Sequence, residues 1–250
     1  MKTVWFGDVQ VQLKAVGFDK DGTLFDAISF WAYIDQLRCS EFSGIVGPGY
    51  EQDWHALMGW RHYPDDIDYN GTLAIATMAE EIILAAGLIY QKTGRPWFQC
   101  KQFAEQVFTK ADQSMVIAEA FSKKPGVPEV IINLKQHGVN TGILTSDSFM
   151  RTEACMKLLQ VDEFLDFVIT PEKVKYGKPN PDMVESCCSM FNILPSELAV
   201  VGDSIVDLKM AKAAGSIAVG LVTHEGSRES LGEFADIMIE SMMDIRVEQD

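Results

Sequence analysis

The chain is poor in basic residues. Its 21 Lys+Arg stand against 36 Asp+Glu, a formal net charge of −15 over 250 residues. That deficit excludes nucleic acid as a polymer partner, which would need a basic face for its phosphates. It also excludes docking on anionic lipid through a polybasic patch. An anionic small molecule stays open, because a small site can be locally positive inside an acidic protein. Cysteine is scarce and scattered: Cys39, Cys100, Cys155, Cys187 and Cys188 include no C-x-x-C pair. Neither a disulfide framework nor a zinc site is suggested, and free thiols in a reducing compartment are the simpler reading. No uninterrupted apolar run reaches the roughly 18 residues that span a bilayer. The best stretch, Thr72 to Tyr90, is broken by Glu80 and Glu81. Met1 to Lys14 lacks the basic start and apolar run of a signal peptide. A soluble, cytoplasmic protein is expected, without nucleic-acid or membrane partners and as a monomer or homodimer.

What is present is a large apolar fraction, 47%, enough for a packed core. Thr3 to Phe18 reads as a hairpin around Gly7-Asp8 followed by a strand. From Asp26 to about Lys124 the segments Ser29–Leu37, Leu73–Ile89 and Phe98–Phe121 read as helices. Between them lie irregular pieces rich in aromatics, Gly and Pro: Gly44–Tyr50 and Gly59–Gly71. From Pro125 onward helices and strands alternate. Helices are expected at Pro128–His137, Phe149–Leu159, Pro181–Phe191 and Ile205–Ala214. Strands are expected at Thr141–Thr145, Phe167–Thr170, Leu198–Val201, Ile217–Val219 and near Asp236–Ile239. Such alternation means βαβ units and a parallel sheet. The expected fold is α/β, a Rossmann-like parallel sheet sandwiched by helices. Residues 1–25 and 125–250 form this core, and 26–124 form an inserted α-helical cap. The insertion follows the first core strand, so it is expected over that strand's C-terminal end, where open α/β sheets place their sites.

Four polar segments each end a predicted strand: Asp19-Lys20-Asp21-Gly22-Thr23, Thr145-Ser146, Lys178-Pro179 and Gly202-Asp203-Ser204-Ile205-Val206-Asp207. In parallel neighbours all four point into one crevice. Asp19, Asp21, Asp203 and Asp207 then share it, which ionised carboxylates cannot do without a cation. Hard oxygen donors without His or Cys select Mg²⁺ over Zn²⁺. The accompanying lysine, hydroxyls and glycine turn suit a phosphoryl group.

Phe18-Asp19-Lys20-Asp21-Gly22-Thr23-Leu24 resembles the first motif of the haloacid dehalogenase superfamily, D-x-D-G-T-L. Thr145 resembles its second motif and Lys178, in Gly177-Lys178-Pro179-Asn180-Pro181, its third. Gly202-Asp203-Ser204-Ile205-Val206-Asp207, running on to Ala211, Ala214 and Gly215, resembles its fourth. The insertion between the first two motifs resembles the helical cap of the phosphoglycolate-phosphatase-like branch. The resemblance implies that Asp19 is the nucleophile, giving an aspartyl-phosphate. It implies that Asp21 is the general acid and then the base for water. Asp203 would be a direct Mg²⁺ ligand beside Asp19 and the Asp21 carbonyl. Asp207 would be a ligand, or the partner that orients one, or simply a carboxylate favoured by a helix dipole. Thr145 and the Ser146 N–H would hold a phosphate oxygen, Lys178 would neutralise charge, and Gly22 would let the backbone approach closely.

Other residues are read more plainly. The Lys20 side chain is expected to point away from the two aspartates as a structural or rim charge. Asp147 is expected to cap the helix near Phe149, and Ser204 either caps a helix or meets a metal-bound water. In the insertion, His55, Arg61, His62 and Arg95 are candidates for a polar or anionic substrate tail, Arg61 first among them. The helix face Leu73–Ile89 could serve a dimer contact. The acidic Glu248-Gln249-Asp250 end reads as a solubility feature.

The reading is a phosphatase acting on a small, phosphoglycolate-like phosphomonoester through an aspartyl-phosphate, with Mg²⁺ as cofactor. The alternatives are a phosphosugar mutase of the same superfamily and a non-catalytic binding protein on the same fold. A mutase of this kind typically carries a histidine soon after the first motif, and the first histidine here is His55. A dehalogenase would not need Asp21 or the metal carboxylates. A phosphonoacetaldehyde hydrolase would need a cap lysine, and none lies between Asp21 and Gln91. A receiver domain would be about half as long, and the D-x-D-G-T turn does not suit it.

Overall fold

The computed structural model describes residues 1–248; Gln249 and Asp250, the end of the acidic tail noted above, lie outside the described residues. The chain divides into two compact units, Met1–Asp26 with Lys123–Asp250, and Ala27–Ser122.

The first unit begins with the hairpin. Strands β1 (Lys2–Phe6) and β2 (Val9–Leu13) pair antiparallel around Gly7. The next strand, β3 (Ala15–Phe18), is buried along its whole length. A small hydrophobic run with no polar face has to lie inside a covered sheet, and β3 does. It is flanked by β6 (Asn140–Leu144) and β8 (Leu198–Gly202), both parallel to it. Outward from these come β7 (Phe167–Ile169) on one side, and β9 (Ile217–Leu221) then β10 (Ile237–Ile239) on the other. The six-stranded order is β10-β9-β8-β3-β6-β7, with every pair parallel. The connections are the helices α7 (Val127–Gln136), α8 (Phe149–Leu159), α9 (Asp182–Phe191), α10 (Ile205–Ala214) and α11 (Ser227–Gly232). Leu144, Val200, Leu208, Met183 and Ala218 form one buried cluster between sheet and helices. A last strand, β11 (Ile245–Val247), leaves this sheet and pairs antiparallel with β1.

The second unit is mostly helical: α1 (Ala27–Val46), α2 (Glu51–Leu57), α3 (Thr72–Ile75), α4 (Met78–Thr93), α5 (Trp97–Ser114) and α6 (Ile117–Ala120). A two-stranded hairpin, β4 (Trp60–His62) with β5 (Asp66–Ile67), lies between α2 and α3.

Three boundaries differ from the sequence reading. Helix α1 runs on through Gly44, because Arg38, Cys39 and Phe42 continue its buried stripe. The expected helix Leu73–Ile89 is two helices: Thr77 turns extended and its hydroxyl accepts from the Glu80 N–H, starting α4 afresh. That is a capping box, and it overrides the apolar periodicity across it. The expected helix Phe98–Phe121 breaks at Met115, whose extended backbone ends α5 before α6 begins. Part of the aromatic piece Gly59–Gly71 is regular after all, since Trp60 and Ile67 are buried opposite one another across the hairpin.

The helical unit buries two polar constellations. Arg38 lies over the Phe108 ring at 4.2 Å and bonds Glu81 at 3.2 and 3.4 Å. Burial nevertheless pushes the Glu81 carboxyl up to about 7. Asp35, fully buried, accepts from the Trp54 indole at 2.7 Å and meets His55 Nδ1 at 2.5 Å. Removing one member of a buried ion pair costs about 3–5 kcal/mol, because the other charge stays buried unpaired. Arg38→Met should therefore destabilise this unit by about 3 kcal/mol. Glu81→Gln keeps a hydrogen-bond acceptor but strands the Arg38 charge, which unlike the Glu81 carboxylate cannot be neutralised by a proton, so it should cost more, toward about 5 kcal/mol. Urea unfolding followed by tryptophan fluorescence checks the contrast.

Candidate active site

The site is built where β3, β6 and β8 end. The ladder carries one step past β3, with Asp19 N–H donating to the Val201 carbonyl at 2.9 Å. The chain then turns back on itself. The N–H groups of Leu24 and Phe25 both donate to the Lys20 carbonyl, and Gly22 N–H donates to the Phe25 carbonyl. Gly22 adopts φ +86°, and a Cβ there would collide with the Asp203 carboxylate. Both requirements select glycine. The chain returning toward α7 pins this turn: Lys124 N–H donates to the Leu24 carbonyl, and Lys123 bridges Phe25.

Helix α10 brings the other carboxylates. Gly202 ends β8, and its missing side chain makes room for Asp207 to pack against it. Asp207 is 1% exposed and its Oδ2 accepts from Ser204 N–H at 3.2 Å and Ser204 Oγ at 2.5 Å. Ser204 is thus the residue at the helix cap, and Asp207 is its partner in the first turn. Asp207 Oδ1 accepts from Lys178 Nζ at 2.5 Å, and Lys178 also donates to Asp19 Oδ1 at 2.6 Å. The Thr23 hydroxyl donates to Asp203 Oδ1 at 3.1 Å. Asp19, Asp203 and Asp207 each offer a carboxylate oxygen within 4.8 Å of the other two.

Electrostatics follow from this crowding. Burial pushes Asp19 up to about 7; Lys178 works against the rise, while Asp207 and Asp21 add to it. Asp203 is raised well above its ordinary value, first by burial and then by Asp19 and Asp207. Burial would lower Lys178, but Asp19 and Asp207 overcome this and hold it charged. Three carboxylates and one ammonium leave two negative charges uncompensated. An oxygen-only donor set with that excess fits a hard divalent cation such as Mg²⁺.

The remaining sequence candidates fall differently. The Asp21 carboxylate is not in the three-carboxylate group; its Oδ1 bonds Lys20 Nζ. Lys20 is not a rim charge: its side chain is fully buried, pairs with Asp21, and reaches Asp147 Oδ2 at 3.0 Å. Asp147 does not cap α8, because Ser148 does, accepting from Arg151 N–H at 3.4 Å. Asp147 pairs with the Arg151 side chain at 3.1 Å instead. Thr145 is buried one residue past β6 and its hydroxyl accepts from Asp147 N–H at 3.1 Å, while Ser146 is exposed. Lys124 was not singled out from sequence. It feels the fields of Asp203 and Asp26, yet burial lowers its pKa. Nothing in the spacing of the motifs points to it.

In the helical unit, Arg61 is exposed and faces Asp66 at 3.6 Å and Asp68 at 3.4 Å. His62 faces Asp66 at 3.6 Å, and Arg95 lies over Phe103 at 4.8 Å. His55 stacks on Tyr63 at 4.0 Å. It helps line a cavity of about 540 Å³ with Gln36, Ser40, Ser43 and Glu51. With no lysine or arginine among its lining residues, that cavity does not suit a phosphate.

Clustered carboxylates and a buried lysine at the carboxyl ends of parallel strands define an α/β protein with a polar site where open parallel sheets bind their ligands. The chain belongs to the haloacid dehalogenase-like hydrolase family, which matches residues 13–215. It is 33% identical over 121 residues to validoxylamine A 7'-phosphate phosphatase of Streptomyces hygroscopicus subsp. limoneus, covering 48% of this chain and 56% of that protein. It is 30% identical over 120 residues to pyrophosphatase PpaX of Anoxybacillus flavithermus, with the same shares of 48% and 56%. The chain thus spans about half the length of these curated relatives. A solved structure, a predicted phosphoglycolate phosphatase from Haemophilus somnus 129pt, superposes with a TM-score of 0.65 at 18% identity. It covers 94% of this chain and 96% of its own, which is a likeness of fold.

Two outcomes are expected. Gly22→Ala should abolish divalent-cation binding by calorimetry while leaving the far-UV spectrum unchanged, since the new methyl displaces Asp203. The second concerns pH. A metal-free native state whose Asp19 holds its proton up to about pH 7 binds more protons than the unfolded chain from about pH 4 upward. Its stability therefore falls as pH rises through that window, and a bound cation offsets the loss. The rise in Tm on adding Mg²⁺ should be larger at about pH 8 than at about pH 5.5. An equal rise at both would remove Asp19 from the cation site.

Proposed function

We propose that the chain is a Mg²⁺-dependent phosphatase that hydrolyses a small phosphomonoester through an aspartyl-phosphate on Asp19. The carrying observation is the Asp19–Lys178–Asp207 constellation beside Asp203, with a pair of carboxylates, Asp19 and Asp21, on one turn. The family membership and the phosphatase names of the partly matching relatives support this reading. Bound at Asp19, Asp203 and Asp207, the cation would supply positive charge to the phosphoryl oxygens. The Asp21 carbonyl would be a further oxygen donor, as the family resemblance implies.

Lys178 engages Asp19 Oδ1, and the Asp19 carboxylate attacks phosphorus. The bond to the leaving oxygen breaks, and Asp21 gives that oxygen a proton. Asp21, now a carboxylate, takes a proton from water, whose oxygen attacks the phosphorus of the acyl phosphate. The Asp19–phosphorus bond breaks, phosphate leaves, and both aspartates return to their starting states. Thr145 Oγ and the Ser146 N–H hold a phosphate oxygen, and Lys178 balances charge as Asp19 is phosphorylated. Gly22 leaves the backbone bare where phosphate approaches. Asp203 and Asp207 do not react.

The substrate is a small phosphorylated metabolite of phosphoglycolate-like size, and the enzyme works in the cytoplasm. No helix among the described residues is long and apolar enough to cross a membrane. All five cysteines are free and buried, which suits a reducing compartment. In the helical unit Arg61 is retained as a contact for the substrate's polar end, because it is the more exposed partner of its ion pairs.

The test is release of p-nitrophenolate from p-nitrophenyl phosphate. Turnover should require Mg²⁺, stop with a chelator and return on re-addition. Asp19→Asn should lower kcat by about 1,000-fold or more, as loss of a nucleophile does. No turnover by the wild-type protein with Mg²⁺ would leave the non-catalytic reading in its place.

A further inference from the structure

Lys20 sits between the nucleophile and the general acid in the chain, and its side chain is fully buried. Ordering a long side chain and stripping water from its ammonium are both unfavourable. A buried ammonium persists only where carboxylates meet it, and here there are two. Asp21 Oδ1 accepts from Nζ, and Asp147 Oδ2 lies 3.0 Å from it. These two carboxylates overcome burial and keep Lys20 charged. Asp147 is itself held: its Oδ1 accepts from Ser148 N–H at 2.7 Å and pairs with Arg151 at 3.1 Å. Its own N–H donates to Thr145 Oγ1 at 3.1 Å. Two carboxylates and two cations form a self-neutral set beside the Asp19, Asp203, Asp207 and Lys178 group. Each of the two reacting aspartates thus has its own buried lysine.

We propose that Lys20, braced by Asp147, is the positioning residue for Asp21: it fixes one carboxylate oxygen so that the other is aimed for proton transfer to the leaving oxygen. The inference rests on the phosphatase reading and assigns a role within it. Without the clamp the Asp21 side chain is free to rotate, and a proton donor that is present but misaligned loses its rate advantage. The nucleophile and the cation donors are untouched by this change. The loss therefore falls on poor leaving groups, which need the proton, and spares good ones.

The experiment compares phenyl phosphate with p-nitrophenyl phosphate, reading leaving-group release in the first turnover with Mg²⁺ present. Lys20→Met should lose about 30-fold or more on phenyl phosphate, within the range a general acid contributes, and less than about threefold on p-nitrophenyl phosphate. Lys20→Met/Asp147→Asn removes one charge of each sign and keeps the set neutral. It should recover thermal stability lost in the single variant while showing the same split between esters. Lys20→Arg should restore part of the phenyl phosphate rate. Equal losses on both esters, or a double variant with wild-type rates, would overturn the positioning role and leave Lys20 structural. Wild-type protein inert toward both esters would instead sink the phosphatase reading, and this inference with it.

Discussion

Everything at the site depends on one unfavourable interaction: three carboxylates, the buried Asp19 and Asp207 and the half-buried Asp203, held within 4.8 Å of one another. Left alone they repel, and burial disfavours each charge separately. Lys178 relieves Asp19 and Asp207 but makes no bond to Asp203, whose hydrogen-bond donor is the Thr23 hydroxyl. The arrangement is stable in two ways only, by taking up protons or by taking up a cation. On the phosphatase reading proposed above, protonation would silence Asp19 as a nucleophile, whereas a cation would keep it ionised and draw in a phosphate. On that reading the repulsion that costs stability would make this an anion site once its cation is bound.

The fold makes that crowding unavoidable. Because β3 lies at the centre of the sheet, between β6 and β8, the turns that follow these three strands are neighbours in space. Residues 125 and 180 positions apart in sequence are brought together by this arrangement: Phe18 pairs with Ile143 across neighbouring strands, and the Thr23 hydroxyl donates to Asp203. Glycines at the two tightest points, Gly22 and Gly202, let carboxylates occupy space a side chain would fill. Stability was given up at these positions for the sake of close approach, as glycine in ordered backbone is entropically unfavourable.

The sequence carried most of this architecture openly. Alternating apolar strands and helices from residue 125 onward predicted the parallel sheet, and D-x-D-G-T with its companions predicted which strand ends gather the carboxylates and the lysine. Failures came where a local bond competes with periodicity. Thr77 and Glu80 cap a helix inside an apolar run, so one helix became two. Lys20 failed for a different reason. Strand alternation placed it away from Asp19, but its long side chain folds back onto Asp21 and across to Asp147. No one-dimensional pattern encodes a contact between residues 20 and 147. The position of β6 beside β3 creates it. Arg61 and His55 stand out in the sequence by residue type alone, and residue type does not reveal that carboxylates of their own unit already face them.

The net charge of −15 takes on a different meaning in this light. A surface that repels polyanions does not repel a metabolite whose charge is met inside a pocket, since buried fields are screened far less than exposed ones. The acidic excess is also unevenly used. In the helical unit, Asp35 and Glu81 are buried against Trp54, His55 and Arg38, where they order side chains inside a hydrophobic core. In the sheet unit, Asp19, Asp203 and Asp207 crowd one another, and Lys178 pairs with only two of the three. Buried acids that are matched fix a structure. Buried acids that are left unmatched create an affinity for something the chain does not itself contain, and it is the second kind that this protein places at the ends of its central strands.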